Sequence, residues 1–213
     1  MDKNSLSVEL FNKLATAYQE KFMDVSSYSG PLDDFSRRIR HANPRLLDIA
    51  CGPGNISRYL LDRHPESKLL GIDLAPNMLD LARTANPEAE FQLMDARRIA
   101  DLDAGYAGIV CGFCMPYLSK EEALQLIADA SKLLLPGGAF FLSTMEGNYA
   151  DSDFHASSSY PEEKLFIHYH QEDYLKKGLE ENGFVALSIT RQDYEDGKGT
   201  NFSDLLVVAE KGK

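Results

Sequence analysis

The chain has 213 residues, 44% of them hydrophobic and 26% charged, enough to bury one sizeable core. Its 22 Lys+Arg stand against 33 Asp+Glu, a formal net charge of −11. That balance argues against nucleic acid or anionic membrane as a partner, because both need clustered bases. The sign is uneven: residues 1–40 carry six acids and six bases, residues 41–150 fourteen and nine, and residues 151–213 thirteen and seven. The three cysteines, Cys51, Cys111 and Cys114, are an odd number and offer no disulfide framework. The start Met1-Asp2-Lys3-Asn4 is polar and lacks the apolar stretch of a signal peptide. No run reaches the ~18 apolar residues of a membrane helix. These features predict a cytoplasmic protein, a monomer or homodimer.

Leu6, Leu10, Leu14 and Tyr18 recur every four residues, a helical stripe with Phe11 and Phe22 near it. Gly30-Pro31 is expected to break that helix, and Phe35 with Ile39 suggests a second, ended by Pro44. From residue 45 short apolar runs alternate with amphipathic stretches. Strands are predicted at 45–50, 68–73, 89–94, 106–112 and 139–145. Helices are predicted at 55–64, 76–86 and from Ser119 to a stop at Pro136-Gly137-Gly138. Such alternation means crossover units, hence α/β architecture with a parallel sheet and helices on both faces. Residues 146–165 read as a long polar loop, the kind that is usually functional or mobile. A strand near 165–169, a helix at 171–182 and two closing strands at 184–190 and 204–210 follow, the last two paired antiparallel around Asp196-Gly197-Lys198-Gly199. The parts are thus 1–44, 45–145, 146–170 and 171–213 of one domain.

The most informative segment is Asp48-Ile49-Ala50-Cys51-Gly52-Pro53-Gly54-Asn55, between a buried strand and a helix start. Glycine there lets backbone approach a ligand, and open α/β sheets bind ligands beyond the carboxyl ends of their strands. A dinucleotide fingerprint needs a third glycine where Ser57 stands, and no phosphate-loop Gly-Lys-Ser/Thr is present. Asp73 ends the second strand, where its carboxylate can take two ribose hydroxyls. Asp95 ends the third and is followed by Ala96.

Asp48-x-Ala50-x-Gly52-x-Gly54, Gly71-Ile72-Asp73-Leu74-Ala75-Pro76-Asn77-Met78, Met94-Asp95-Ala96 and Leu134-Leu135-Pro136-Gly137-Gly138, in this order, resemble class I S-adenosylmethionine-dependent methyltransferases. The resemblance spans about residues 45–145, with Ala50 replacing the family's first glycine. It implies a Rossmann-like, mostly parallel sheet of seven strands whose last strand is antiparallel. Residues 1–44 and the 146–170 insertion would form a lid. It also implies that S-adenosylmethionine is the cofactor, S-adenosylhomocysteine the product and a small molecule the acceptor, with no metal. The backbone of Ala50, Gly52 and Gly54 would then line the methionine part, Cys51 and Asn55 would also bind the cofactor, and Asp48 would organise that loop or reach the amino group. Asp73 would hold the ribose, Leu74 and Met78 would flank the adenine, and Asp95 and Ala96 would meet its amine and ring nitrogen. Gly112 would pass close to the cofactor, and Tyr18 and Tyr28 would close over it.

No catalytic group is marked by a motif. Tyr18, Tyr117, Glu146, His168 and His170 are candidates for the acceptor pocket. On a strand His168 and His170 share a face, yet no further ligand stands at metal-site spacing. Cys111 and Cys114 spell Cys-x-x-Cys at a strand end rather than at a helix start, and an extended chain would point them to opposite faces. A nicotinamide- or dithiol-dependent oxidoreductase and a non-catalytic cofactor-binding module are the alternative readings.

Overall fold

A computed structural model describes residues 3–156, 162–195 and 201–213. Seven strands form one sheet: β1 (Arg45–Ile49), β2 (Lys68–Asp73), β3 (Glu90–Leu93), β4 (Tyr106–Cys111), β5 (Leu134–Glu146), β8 (Phe184–Glu195) and β9 (Asn201–Lys211). Their spatial order is β3-β2-β1-β4-β5-β9-β8. β1 to β5 are mutually parallel, and β9 runs antiparallel between β5 and β8. The reversed last strand is as expected, and both closing strands are longer than their apolar runs. The expected turn at 196–199 lies outside the described residues. β7 (Lys164–Ile167) stands close to the strand expected near 165–169, and it pairs antiparallel with β6 (Asp153–Ala156), which stands where a loop was expected.

Alternation along the strands fills two cores. Leu47, Ile49, Ile109, Phe140 and Leu142 face α6 (Lys120–Leu133) and α7 (Glu172–Glu181), meeting Leu126, Ile127, Leu175 and Leu179. Leu46, Val110, Phe141, Leu206 and Val208 face the other way, against Phe35 of α3 (Ser29–Arg38) and Leu60 and Leu61 of α4 (Asn55–Arg63). Burying one such side chain contributes about 1.5–3 kcal/mol, which outweighs the weak local propensities. At the start of α6, Ser119 accepts from the Glu122 N–H and Glu122 accepts from the Ser119 N–H. A cap of this kind stabilises a helix by ~1 kcal/mol.

Three expectations are corrected. The N-terminal stripe is two helices, α1 (Lys3–Lys13) and α2 (Ala15–Phe22), separated at Leu14. Gly30-Pro31 does not end a helix but sits in the first turn of α3, where a missing proline N–H costs nothing because those donors have no intrahelical partner. Pro136-Gly137-Gly138 lies inside β5: the pairing jumps from Tyr106–Leu134 to Gly108–Ala139, so the extra residues bulge out of the ladder. Among the described residues no helix is long and apolar enough to cross a membrane.

Candidate functional site

A cleft opens at the carboxyl ends of β1, β2 and β4, between them and the two N-terminal helices. Its floor is the turn after β1. Ala50, Gly52 and Gly54 all have positive φ (54°, 53° and 82°), a backbone that L side chains adopt only under strain. Ala50 therefore carries that strain in the place where the family has glycine. Gly54 starts α4, and a Cβ there would stand 2.4 Å from Asn86 Nδ2, which itself donates to the Gly54 carbonyl. The turn needs glycine at this position for both reasons.

Three aspartates stand at the ends of three strands. Asp48 is fully buried and accepts from Ser57 Oγ at 2.6 Å; burial pushes its carboxyl up to about 7. Asp73 accepts from the N–H of Gly52 (2.9 Å) and of Ala75 (2.8 Å), one on each oxygen. Burial raises its carboxyl above the ordinary value, and these backbone donors pull it back. Asp95 accepts from the Arg97 N–H and from the Arg97 guanidinium, at 2.6 Å to Nη2, while Arg97 Nη1 reaches Glu122 at 3.1 Å. Burial raises Asp95, but Arg97 outweighs it and holds the carboxyl below its usual value. Asp95 thus caps the 3-10 helix Ala96–Asp101 while its edge faces the cleft.

Among the expected site residues, Tyr18, Ala50, Gly52, Asp73, Leu74, Met78, Asp95, Ala96, Gly112 and Tyr117 line this cleft. Tyr18 stands over the turn, its Cε1 3.9 Å from where a Cβ of Gly52 would be, and burial with the Asp73 charge pushes its hydroxyl up to about 12. Asp48, Cys51, Gly54, Asn55 and Tyr28 do not line it. Asp48 lies beneath the turn, Gly54 at its end packs against Asn86 and Ala82, Cys51 is buried, Asn55 donates to the Phe22 carbonyl, and Tyr28 donates to Asp204. No motif points to Asn4, Ser7, Val8 and Phe11 of α1, which also line the cleft. Their spacing of three to four residues is a second stripe beside the leucine one.

The remaining acceptor candidates stand elsewhere. Glu146 is held in two bonds by Arg191, at 2.6 and 2.7 Å. His170 is fully buried; its Nε2 donates to the Met115 carbonyl at 2.8 Å and its Nδ1 accepts from the Tyr174 hydroxyl. Burial pushes it down to about 4, so it is neutral and structural. His168 stacks on Tyr149 with ring centroids 5.7 Å apart. Among the described residues no group of three or more His, Cys, Asp and Glu gathers as metal ligands do. The cysteine expectation is corrected: Phe113 takes φ 54° and turns the chain, so the Cys114 thiol meets that of Cys111.

Of the segments expected to form a lid, only part lies over the cleft. α1 and α2 cover the cleft, but α3 packs on the sheet against β5 and β9. Of the 146–170 insertion, no described residue lines the cleft; Leu165, Ile167 and Tyr169 instead back Leu10, Phe11 and Leu14 from outside.

Residues 46–138 match the family model of a methyltransferase domain. The demethylmenaquinone methyltransferase of Deinococcus radiodurans is 32% identical over 108 residues, covering 49% of this chain and 44% of that one. A trans-aconitate 2-methyltransferase of Methylobacterium radiotolerans is 37% identical over 127 residues, covering 57% and 45%. The chain spans less than half the length of these curated relatives. Among solved structures, magnesium protoporphyrin IX methyltransferase from Synechocystis PCC 6803 with bound S-adenosylmethionine shares the fold, with a TM-score of 0.72 at 16% identity over 100% of this chain and 98% of that one. Over residues 46–138 the chain is thus similar to a methyltransferase domain, and its fold is that of a solved methyltransferase with bound S-adenosylmethionine.

Proposed function

We propose that the protein transfers a methyl group from S-adenosylmethionine to a small-molecule acceptor. The observation that carries this reading is Asp73, fixed at the cleft edge by two backbone N–H groups beside a turn of three positive-φ residues. Its remaining lone pairs are free to take a pair of vicinal hydroxyls. The fit to the cofactor is chemical as well. The cleft lining holds Asp73 and Asp95 and, among the described residues, no Lys, Arg or His, which suits a sulfonium cation.

In this reading Asp73 would hold the ribose, Leu74 and Met78 would flank the adenine, and Asp95 with the Ala96 N–H would meet its edge. Ala50, Gly52 and Gly112 would line the methionine part. Asp48 supports the turn through Ser57. Phe11 and Tyr18 exclude water from above. The cofactor supplies an electrophilic methyl group; the chain contributes position, and effective concentration alone can remove a large part of such a barrier. The net charge of −11 supports a small acceptor over nucleic acid or anionic membrane.

Neither oxidoreductase reading gains support. Ser57, in the third-glycine place, is committed to Asp48. The Cys111 thiol is raised well above its ordinary value by its hydrogen bond to Cys114 and by burial, the opposite of a reactive thiolate. S-adenosylhomocysteine and S-adenosylmethionine should each raise the melting temperature, since both bind only the folded chain. If neither does, and calorimetry records no heat, the reading fails.

A further inference from the structure

Because β9 is antiparallel, its first residues lie at the carboxyl edge of the sheet, beside the cleft. Asp204 is there, opposite Met145 of β5 and Gln192 of β8, and only 4% exposed. Its Oδ2 accepts from the Tyr28 hydroxyl at 3.3 Å. Tyr194 of β8 faces the same carboxyl. The other oxygen, Oδ1, is buried and finds no hydrogen bond of ordinary length among the described residues. Native structures rarely bury a carboxylate oxygen without a donor, and where they do a missing ligand is one of the few explanations.

One aromatic layer separates Asp204 from the cleft. The Tyr28 ring packs 5.1 Å from that of Phe113, which lines the cleft. Tyr18 and Tyr117 also line it; Tyr18 lies near enough to Tyr28, and Tyr194 near enough to Tyr117, for the one hydroxyl to raise the other. Four tyrosines and one buried carboxylate therefore run from the cleft into the sheet edge. The titratable groups that face Asp204 are Tyr28, from the turn before α3, and Tyr194, from β8; no base does among the described residues.

We propose that Asp204, with Tyr28 and Tyr194, stands behind the acceptor end of the cleft and takes a small primary or secondary amine when the Tyr28–Phe113 layer parts. This rests on the methyltransferase reading and names its substrate class. An ammonium group fits on two counts: its N–H satisfies Oδ1, and its charge is attracted both to the carboxylate and to the faces of the tyrosine rings. An anionic acceptor finds no counter-charge in the cleft lining. Transfer of one N–H proton from the ammonium to Asp204 leaves a neutral amine with its lone pair and a neutral carboxylic acid. Burial pushes the Asp204 carboxyl up to about 6, which narrows the gap that this transfer must cross.

The test is calorimetry on the intact chain saturated with S-adenosylhomocysteine, titrated with 2-phenylethylamine, tyramine, ethanolamine and spermidine, and with trans-aconitate as the anion. At least one amine should bind and trans-aconitate should not. Asp204→Asn keeps the size of the side chain and its bond to Tyr28. It should weaken the amine at least tenfold while leaving S-adenosylhomocysteine affinity within about twofold. Tyr194→Phe, at a half-exposed position, should weaken the amine several-fold and keeps the test valid if Asp204→Asn does not fold. Binding of S-adenosylhomocysteine without any amine, amine binding unchanged in both variants, or tighter binding of trans-aconitate overturns the proposal. Failure to bind S-adenosylhomocysteine at all is a separate result, and overturns the methyltransferase reading instead.

Discussion

On the β1–β3 side of the cleft each carboxylate already has its partners: Asp48 has Ser57, Asp73 has the Gly52 and Ala75 N–H groups, and Asp95 has Arg97. On the β5–β9 side Asp204 has Tyr28 on one oxygen and the Tyr194 hydroxyl facing the carboxyl, while its Oδ1 finds no hydrogen bond of ordinary length among the described residues. The partners on the first side lie 2 to 21 positions apart along the chain, whereas Tyr28 and Asp204 lie 176 apart. The first side is organised by local turns and stands ready before any ligand arrives. The second is assembled only when the N-terminal segment meets the last strand, and its chemistry is left open for a ligand to complete. Preorganisation on one side suits a cofactor shared by many enzymes; the open side suits an acceptor particular to one.

The largest expected effect breaks the ready side at Asp73. Asp73→Ala removes the proposed ribose acceptor and leaves the Gly52 and Ala75 N–H groups without their carboxylate. Losing charged hydrogen bonds costs about 3 kcal/mol, roughly a hundredfold in the dissociation constant of S-adenosylhomocysteine by calorimetry. Unchanged affinity in a folded variant removes Asp73 from the cofactor site.

The same contrast explains what was legible in the sequence. Asp48, Gly52, Gly54, Asp73 and Asp95 stand at strand ends in fixed order, so pattern alone gave the sheet and the edge of it where the cofactor is proposed to bind. The acceptor side has no such grammar. Glu146 and His170 looked promising by position, but one is paired with Arg191 and the other with Met115 and Tyr174, contacts up to 55 positions away. No motif singles out Asp204, at the start of a closing strand. Gly30-Pro31 misled because proline is at home in the first turn of a helix; α6 does end just before Pro136-Gly137-Gly138, but packing takes these residues into β5 as a bulge.

A smaller effect sharpens the ready side at its buried foundation. Ser57→Ala removes the hydroxyl from the buried Asp48 carboxyl, at a cost of about 1–3 kcal/mol, seen as a melting temperature several degrees lower. Asp48 also has a pH signature. Its folded value of about 7 lies above that of an unfolded carboxyl, so the folded chain holds a proton that the unfolded chain has released. Its contribution is full below about pH 4 and is lost as pH rises through about 7. Melting temperatures measured from about pH 5 to about pH 8 should therefore fall less steeply for Asp48→Asn than for the unsubstituted chain. Equal slopes mean that Asp48 is not protonated in the folded state. Smaller still is Arg97→Gln, at a partly exposed pair with Asp95, for which about 0.5–1 kcal/mol of stability is expected in thermal denaturation. A larger loss would show that Arg97 organises the adenine end rather than merely pairing with one acid.

The smallest effect is expected at the seam between the two sides, where Cys111 and Cys114 meet. Cys111 is fully buried and its thiol is raised by the hydrogen bond to Cys114, then by burial; Cys51, under the glycine turn, is raised by burial and then by the charges of Asp48 and Asp73. A thiol that holds its proton is a poor nucleophile, and one without solvent access is poorer still. Iodoacetamide at about pH 8 should therefore leave Cys51 and Cys111 of the folded chain unmodified, and label all three cysteines once denaturant is added. Cys114 lines the cleft and is 6% exposed, so whatever labelling the folded chain shows should fall there. S-adenosylhomocysteine, by filling the same cleft, should suppress it. Peptide mass spectrometry separates the three positions. Fast labelling of Cys111, or a Cys111–Cys114 disulfide that forms under mild oxidation and shuts out S-adenosylhomocysteine, would mean that the seam works as a redox pair; slow labelling confined to Cys114 leaves it as packing between a finished side and an open one.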